Sequence, residues 1–155
     1  MYVLHALFDK YWITSDTATY DLLLPKLEFL SLASNGLTGT IPKFPFASMS
    51  LKSLHLHNNA LEGEIPGNIN LSFMEELLLH DNKLSGTFPI NMTENDGASN
   101  LRKLTLFNNS LSGNVSDLCK LFLDGSLELL QVDMDEIPCE CCSPGNYSIL
   151  YDYLS

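Results

Sequence analysis

The chain repeats one pattern of apolar and polar residues, and this repetition limits the possible folds more than any other feature. The pattern is L-x-x-L-x-L-x-x-N-x-L-x-G-x-I-P, and residues 51–66 match every position of it. Residues 27–42 also match every position, and residues 74–89 and 101–116 fit the same pattern with substitutions. A unit used several times in succession predicts a protein built of stacked, similar coils.

Each copy contains the pattern of a short buried strand. Leu54 and Leu56 are separated by one polar residue, and a period of two is typical of a strand with one buried face. The other apolar positions of this copy, Leu51, Leu61 and Ile65, belong to the return path of the coil. We therefore expect the leucines to point inward and to pack against those of the neighbouring coils.

Asparagine and glycine occupy fixed positions in each copy. The asparagines follow one another at intervals of 24, 23 and 27 residues, and they are Asn35, Asn59, Asn82 and Asn109. A turn leaves backbone groups without ladder partners, so we expect these amides to satisfy them from coil to coil. Glycine permits the next bend of the coil, at Gly39, Gly63, Gly86 and Gly113.

The second half of each copy resembles a known family. Residues 37–42, 61–66 and 84–89 read LTGTIP, LEGEIP and LSGTFP, and they resemble the L-x-G-x-I-P motif of plant-type leucine-rich repeats. The resemblance covers residues 27–142. It implies an α/β solenoid, a right-handed superhelix of about four to five coils with a short-stranded parallel sheet on its concave face. It also implies an extracellular or cell-surface recognition role.

Three regions follow from the repeat pattern. The repeats occupy residues 27–137, preceded by an N-terminal capping segment over residues 1–26 and followed by a cysteine-containing cap and tail over residues 138–155. Apolar residues at helical spacing predict an amphipathic helix over residues 2–13. Caps are expected because the end coils of a solenoid expose apolar side chains.

The cysteines cluster after the last coil, and they are Cys119, Cys139, Cys141 and Cys142. This closing segment resembles that of algal, diatom-type members of the family, in which disulfide bridges would staple the cap. We expect one bridge from Cys119 to the cluster of Cys139, Cys141 and Cys142, with room for a second within reach of it, although four cysteines allow three pairings and the sequence does not choose among them. Zinc is the alternative, but C-x-C-C differs from the usual C-x2-C spacing.

Charge and glycosylation sequons indicate the class of partner and the compartment. The chain carries 19 acidic and 8 basic residues, a net charge of −11, which disfavours nucleic acid as a partner. No apolar run reaches the length of about 18 residues that a transmembrane helix needs. Five N-x-S/T sequons favour secretion; they begin at Asn70, Asn91, Asn108, Asn114 and Asn146. Residues 1–14 lack the pattern of a signal peptide, so we expect a fragment or a missing true start.

Outward positions of the strands predict a binding surface. They form columns across the sheet with neighbours about 4.8 Å apart, and one column contains Ala33, His57, His80, Phe107 and Asp133. The candidate ligand-binding residues of the concave face are His55, His57, Glu76, His80, Asp81, Lys103 and Phe107. Imidazoles beside a carboxylate suit a divalent metal or a pH-sensitive contact, and a plain solvated face is the alternative. We assign no metal.

The sequence favours a non-catalytic recognition module without a cofactor. No nucleophile elbow, H-E-x-x-H motif or phosphate loop occurs in it. We expect a receptor-like or secreted protein that binds a protein, peptide or glycan on the concave face. Two alternatives are left open. One is a secreted inhibitor of cell-wall hydrolases, as some members of the plant-type leucine-rich-repeat family are, and the other is a structural or adhesive wall protein.

Overall fold

The fold consists of short strands stacked into two parallel sheets. The computed structural model describes residues 3–5, 27–41, 51–67, 69, 71–88, 100–113, 123 and 125–133. Within these residues a 3-10 turn, Leu71–Phe73, separates two of the strands. The strands are β1 (Val3–His5), β2 (Phe29–Ser31), β3 (Thr38–Thr40), β4 (Ser53–His55), β5 (Ala60–Glu64), β6 (Glu76–Leu78), β7 (Lys83–Thr87), β8 (Lys103–Thr105), β9 (Ser110–Ser112) and β10 (Leu129–Gln131).

The larger sheet contains one strand from each successive coil. Its order is β1-β2-β4-β6-β8-β10, and every pair is parallel. The pairing register aligns the central leucines of the strands, among them Leu54, Leu77 and Leu104, and each of these three is 0% exposed. The stacked coils, the parallel sheet and the inward leucines confirm the solenoid fold class.

A second parallel sheet, which the sequence did not lead us to expect, forms from the L-x-G-x segments. Its order is β3-β5-β7-β9. Glycine is required here because side chains of the preceding coil lie across the backbone. A Cβ added at Gly63 would lie 3.0 Å from Thr40 Cγ2, and one added at Gly86 would lie 2.9 Å from Glu64 Cγ. Both glycines also have positive φ, at 76° and 78°, which other residues rarely adopt.

An asparagine ladder joins the coils beneath the turns that end the strands. The Oδ1 atom of Asn59 accepts hydrogen bonds from the backbone N–H groups of Asn35, at 3.1 Å, and Leu37, at 2.9 Å. Its Nδ2 atom donates to the carbonyl groups of Leu32 and Leu56, both at 2.9 Å. Asn82 and Asn109 repeat this arrangement in the next coils. The expected satisfaction of backbone groups from coil to coil is confirmed.

The N-terminal residues differ from the expected helix. Val3–His5 is a strand that pairs in parallel with β2, so the prediction of a helix over residues 2–13 is wrong for these three residues. The physical reason is that the edge of β2 offers unpaired N–H and C=O groups, which a short extended segment satisfies. A short apolar run does not by itself distinguish strand from helix.

Several predictions fall outside the described residues. They include the rest of the N-terminal segment, the region after residue 133, all four cysteines, and the sequons at Asn70, Asn91, Asn114 and Asn146. In the part of the chain that the structure describes, no helix has the length and apolarity needed to cross a membrane.

Candidate ligand-binding face

The candidate site lies on the outer face of the larger sheet, which is the side opposite the leucine core. This is the face that the sequence predicts to be concave. In β2, β4 and β6 the central residue is buried and the two flanking residues are partly exposed. The pairing register places Ser53, Glu76 and Lys103 side by side on adjacent strands. It likewise aligns His55 with Leu78 and Thr105. This face therefore carries the predicted columns.

Three rings from successive coils form a continuous stack, called here the ring stack. The centroids of His57 and His80 lie 4.5 Å apart with an interplanar angle of 11°. The rings of His80 and Phe107 follow at 4.6 Å and 14°. These spacings are close to the strand separation of about 4.8 Å. Each coil thus contributes one ring, and the regularity of the solenoid sets the stacking distance.

A second group of side chains lies against the stack at the strands themselves. The ring of His55 contacts that of Phe29 edge to face, at 5.0 Å and 78°, and its centroid lies 6.0 Å from that of His57. Its Nε2 atom is 2.9 Å from Oε2 of Glu76, while Nζ of Lys103 donates to Oε1 of the same carboxylate at 2.8 Å. One carboxylate therefore joins an imidazole and an ammonium group from the two neighbouring strands.

The hydrogen bonds to Glu76 decide its protonation state. Burial alone would raise the pKa of this carboxyl, but the hydrogen bonds from Lys103 and His55, with the charges of both, outweigh burial and lower the pKa below its usual value. Glu76 is therefore ionised at neutral pH. The ionised form keeps both neighbours in place.

The two stacked histidines are neutral at pH 7. Burial lowers the pKa of His57 from 6.5 to about 4, helped by the nearby His80 and His55 and opposed by Asp81. Burial also lowers the pKa of His80, again opposed by Asp81. The Nδ1 atom of His57 is buried and has no hydrogen-bond partner. Nδ1 of His80 lies 2.7 Å from Oγ1 of Thr105, which is 3% exposed, so this contact fixes the orientation of the ring.

The geometry does not favour the metal interpretation of the histidines. His57 and His80 lie face to face, whereas two imidazoles that ligate one ion must direct their nitrogens at a common point. In the described ranges no three His, Cys, Asp or Glu side chains are grouped as an ion would require. The arrangement provides a stacking surface instead.

The rim of the face lies where the strands end and the backbone turns. Residues at the same position in four coils have φ between 55° and 59°, and they are Ser34, Asn58, Asp81 and Asn108. Asn108, the sequon asparagine within the described residues, is exposed and its Nδ2 donates to Oδ1 of Asp81 at 2.5 Å. A glycan at Asn108 would therefore stand beside the ring stack.

All seven residues predicted for the concave face belong to one connected set of contacts. These contacts run from Lys103 through Glu76 and His55 to the ring stack, with Asp81 Oδ2 4.0 Å from Nε2 of His80. Their role in ligand binding stays a prediction. Sequence reasoning missed Phe29 and Thr105 as partners of the histidines. The pairing register was the available signal, because each residue is a diagonal neighbour of its histidine on the adjacent strand.

The stacked coils, the parallel sheets and the asparagine ladder define a leucine-rich-repeat solenoid. Residues 26–47 and 50–71 match the family model described as Leucine Rich Repeat. Over 49 residues the chain is 51% identical to "Pollen receptor-like kinase 1" of Petunia integrifolia. That match covers 32% of this chain and 6% of the kinase.

Solved structures with the same architecture include plant proteins, one of them a peptide hormone receptor. A chain in the crystal structure of the BIR3–SERK2 complex from Arabidopsis thaliana is 34% identical, with a TM-score of 0.54, over 68% of this chain and 56% of that one. A chain in the structure of the plant peptide hormone receptor RGFR1 in complex with RGF2 is 32% identical, with a TM-score of 0.57, over 69% and 17%. The chain thus spans about half or less of the length of these relatives. The similarities support a plant leucine-rich-repeat family.

Proposed function

We propose that this chain is a recognition module of the receptor-like type, which binds a protein or peptide ligand on the outer face of the larger sheet. The kinds of protein that it resembles support the proposal. One relative is a receptor in complex with RGF2, and another belongs to the BIR3–SERK2 complex. Together with the sequon at Asn108, these similarities also support a location at the cell surface.

The ring stack is the single observation that carries the proposal. Binding energy at protein interfaces concentrates in a few large, well-packed side chains, with aromatic residues prominent among them. His57, His80 and Phe107 are partly exposed, and their rings are already fixed by stacking on one another. A ligand that contacts them loses little side-chain freedom of the receptor, which reduces the cost of association.

The polar residues beside the stack add selectivity to this surface. Glu76 is held between Lys103 and His55, so its orientation is set before any ligand arrives. A ligand that disturbs these bonds without replacing them leaves a desolvated charge unpaired, which weakens binding. The face therefore combines an aromatic centre with a fixed polar border, as recognition surfaces commonly do.

A peptide selection tests the proposal without knowledge of the natural ligand. The purified chain would select binders from a phage-displayed library of random peptides, and their affinities would be measured by calorimetry for the wild type, Phe107→Ala and His80→Ala. Lys83→Ala is the matched control, because Lys83 is exposed on β7 of the other sheet. Circular dichroism verifies that each variant is folded, and Phe107→Leu supplies a milder change at the same position.

We expect Phe107→Ala to weaken the selected peptides by at least about tenfold, with no change for Lys83→Ala. Peptides that bind all variants equally would place recognition elsewhere on the chain and would overturn the proposal. A selection that yields no binder dependent on the ring stack would overturn it as well.

A further inference from the structure

Phe107 is the last ring of the ring stack. One face of Phe107 packs on His80 at 4.6 Å. In the next coil the corresponding position holds Asp133, because Gln131 of β10 pairs with Thr105 of β8 and the two segments continue in parallel. The stack therefore stops at Phe107, because the equivalent residue of the next coil carries a carboxylate in place of a ring.

A second carboxylate borders the same ring. The backbone N–H of Asp81 donates to the carbonyl group of Phe107 at 3.1 Å, which places Asp81 in the turn after β6, in the coil that precedes Phe107. On the other side, Oδ2 of Asp133 accepts the backbone N–H of Asn109 at 3.2 Å. Phe107 is thus flanked by an acidic residue in the preceding coil and by another in the following coil.

Neither carboxylate is neutralised by a basic side chain. Within the described ranges, the ion pairs of lysine and arginine involve Glu28, Glu76 and Glu128, and neither Asp81 nor Asp133 has such a partner. The nearest imidazole to Asp81 is His80, at 4.0 Å, and it is neutral at pH 7 because burial lowers its pKa. Oδ1 of Asp81 accepts a hydrogen bond from Nδ2 of Asn108 and Oδ2 of Asp133 accepts one from the N–H of Asn109, but neither donor compensates the negative charge.

We propose that the Phe107 end of the ring stack binds an arginine side chain of the ligand, with the guanidinium stacked on the face of the ring remote from His80 and paired with Asp133. This inference rests on the function proposed above and names the chemistry of its ligand. A guanidinium is planar, stacks on aromatic faces and donates several hydrogen bonds in its own plane. It thereby continues the stack and meets Asp133 in the following coil. Asp81 lies in the coil of His80, on the other side of the ring, and adds negative charge to the site.

Arginine fits this position better than lysine or an anionic group. An ammonium group is a compact charge that has no plane to lay on Phe107. An anionic ligand would meet Asp81 and Asp133 without compensation, and the overall net charge of −11 adds to the repulsion. The geometry thus points to a basic peptide that carries an arginine at the contact.

The test uses the peptides selected above, at a salt concentration of about 0.15 M to screen long-range attraction. Each peptide is also synthesised with its arginine replaced by citrulline, which keeps the shape and removes the charge. The protein variants are Asp81→Asn and Asp133→Asn. Asparagine tolerates the positive φ of Asp81, and at Asp133 it keeps an acceptor for the N–H of Asn109. The control is Glu62→Gln, which makes the same charge change at an exposed side chain on β5 of the other sheet.

We expect the peptides that depend on Phe107 to share an arginine, and we expect citrulline to weaken them by about fivefold or more. Asp133→Asn should weaken the arginine peptide but not the citrulline peptide, Asp81→Asn should weaken the arginine peptide by a smaller factor, and Glu62→Gln should change neither. Peptides that need Phe107 yet lack a basic side chain, or are indifferent to citrulline, would overturn this inference and leave the proposed function intact. Absence of any peptide that needs the ring stack would overturn both.

Discussion

The buried position of His57 makes a quantitative prediction about stability and pH. Folding lowers the pKa of this side chain from 6.5 to about 4, with burial as the main cause. The unfolded chain therefore binds more protons than the folded one at pH values between these limits. Stability is complete above pH 6.5 and falls as the pH decreases towards 4. The perturbation that isolates this effect is His57→Phe, which keeps a ring in the stack and removes the titrating group.

The size of the effect follows from the pKa difference. At a pH of about 5, complete linkage would destabilise the folded state by about 2 kcal/mol. His57 is only half-buried, and solvent screening reduces this value to about 1 kcal/mol. His80 has a lowered pKa as well, so it adds to the acid sensitivity of the wild type. Because His80 is present in both the wild type and His57→Phe, its contribution to the free energy of unfolding largely cancels when the two are compared.

The assay is urea denaturation of wild type and His57→Phe at several pH values. We expect the difference in the free energy of unfolding to move in favour of the variant by about 1 kcal/mol between a pH of about 7.5 and a pH of about 5. Ser112→Ala, an exposed and non-titrating change on β9, should show no such pH dependence. If the difference between wild type and His57→Phe is constant across this range, the argument from burial of the imidazole is refuted.

Four further predictions concern the repeat itself and are measured by denaturation at neutral pH. Asn82→Ala should destabilise the fold by about 3 kcal/mol, because it leaves the backbone groups that Asn82 bonds unsatisfied; a loss no larger than that of an exposed substitution would contradict the ladder. Gly39→Ala, where a Cβ meets nothing within 4 Å, should cost about 1 kcal/mol from its positive φ alone. Gly86→Ala should destabilise the fold by about 1 kcal/mol more than Gly39→Ala, because the added Cβ meets the side chain of Glu64. In a Glu64→Ala background this additional loss should disappear, and its persistence would show that Glu64 is not the cause. Ser34→Asn should stabilise the fold by about 0.5 kcal/mol, because asparagine tolerates the φ of 59° better than serine; a loss of stability would contradict that reasoning.

Much of the candidate site was predictable once the repeat was aligned. The column of His57, His80 and Phe107 follows from the spacing of the copies, because parallel strands in register bring equivalent positions together. The sequence predicted that Glu76 and His55 lie near each other, but not that they form a hydrogen bond. Whether two neighbours stack, bond or point apart depends on rotamers, and sequence spacing does not define these. The stacked arrangement of the imidazoles, which disfavours a metal site, is a result of that kind.

The N-terminal segment shows where sequence patterns are least informative. Val3–His5 pairs with β2, although its apolar spacing suggested a helix. A segment of a few residues has no stable structure of its own, so a partner that is far away in sequence decides its conformation.

The sequence by itself determined the coil, because leucine, asparagine and glycine recur at positions where each has one physical role. Inward leucines bury apolar surface, the asparagine amides replace missing ladder partners, and glycine accepts the bend. Only the tertiary structure decided how outward side chains pair between coils and that the L-x-G-x segments form a second sheet. Such contacts join residues more than 20 positions apart, and they exist only after the coils have stacked.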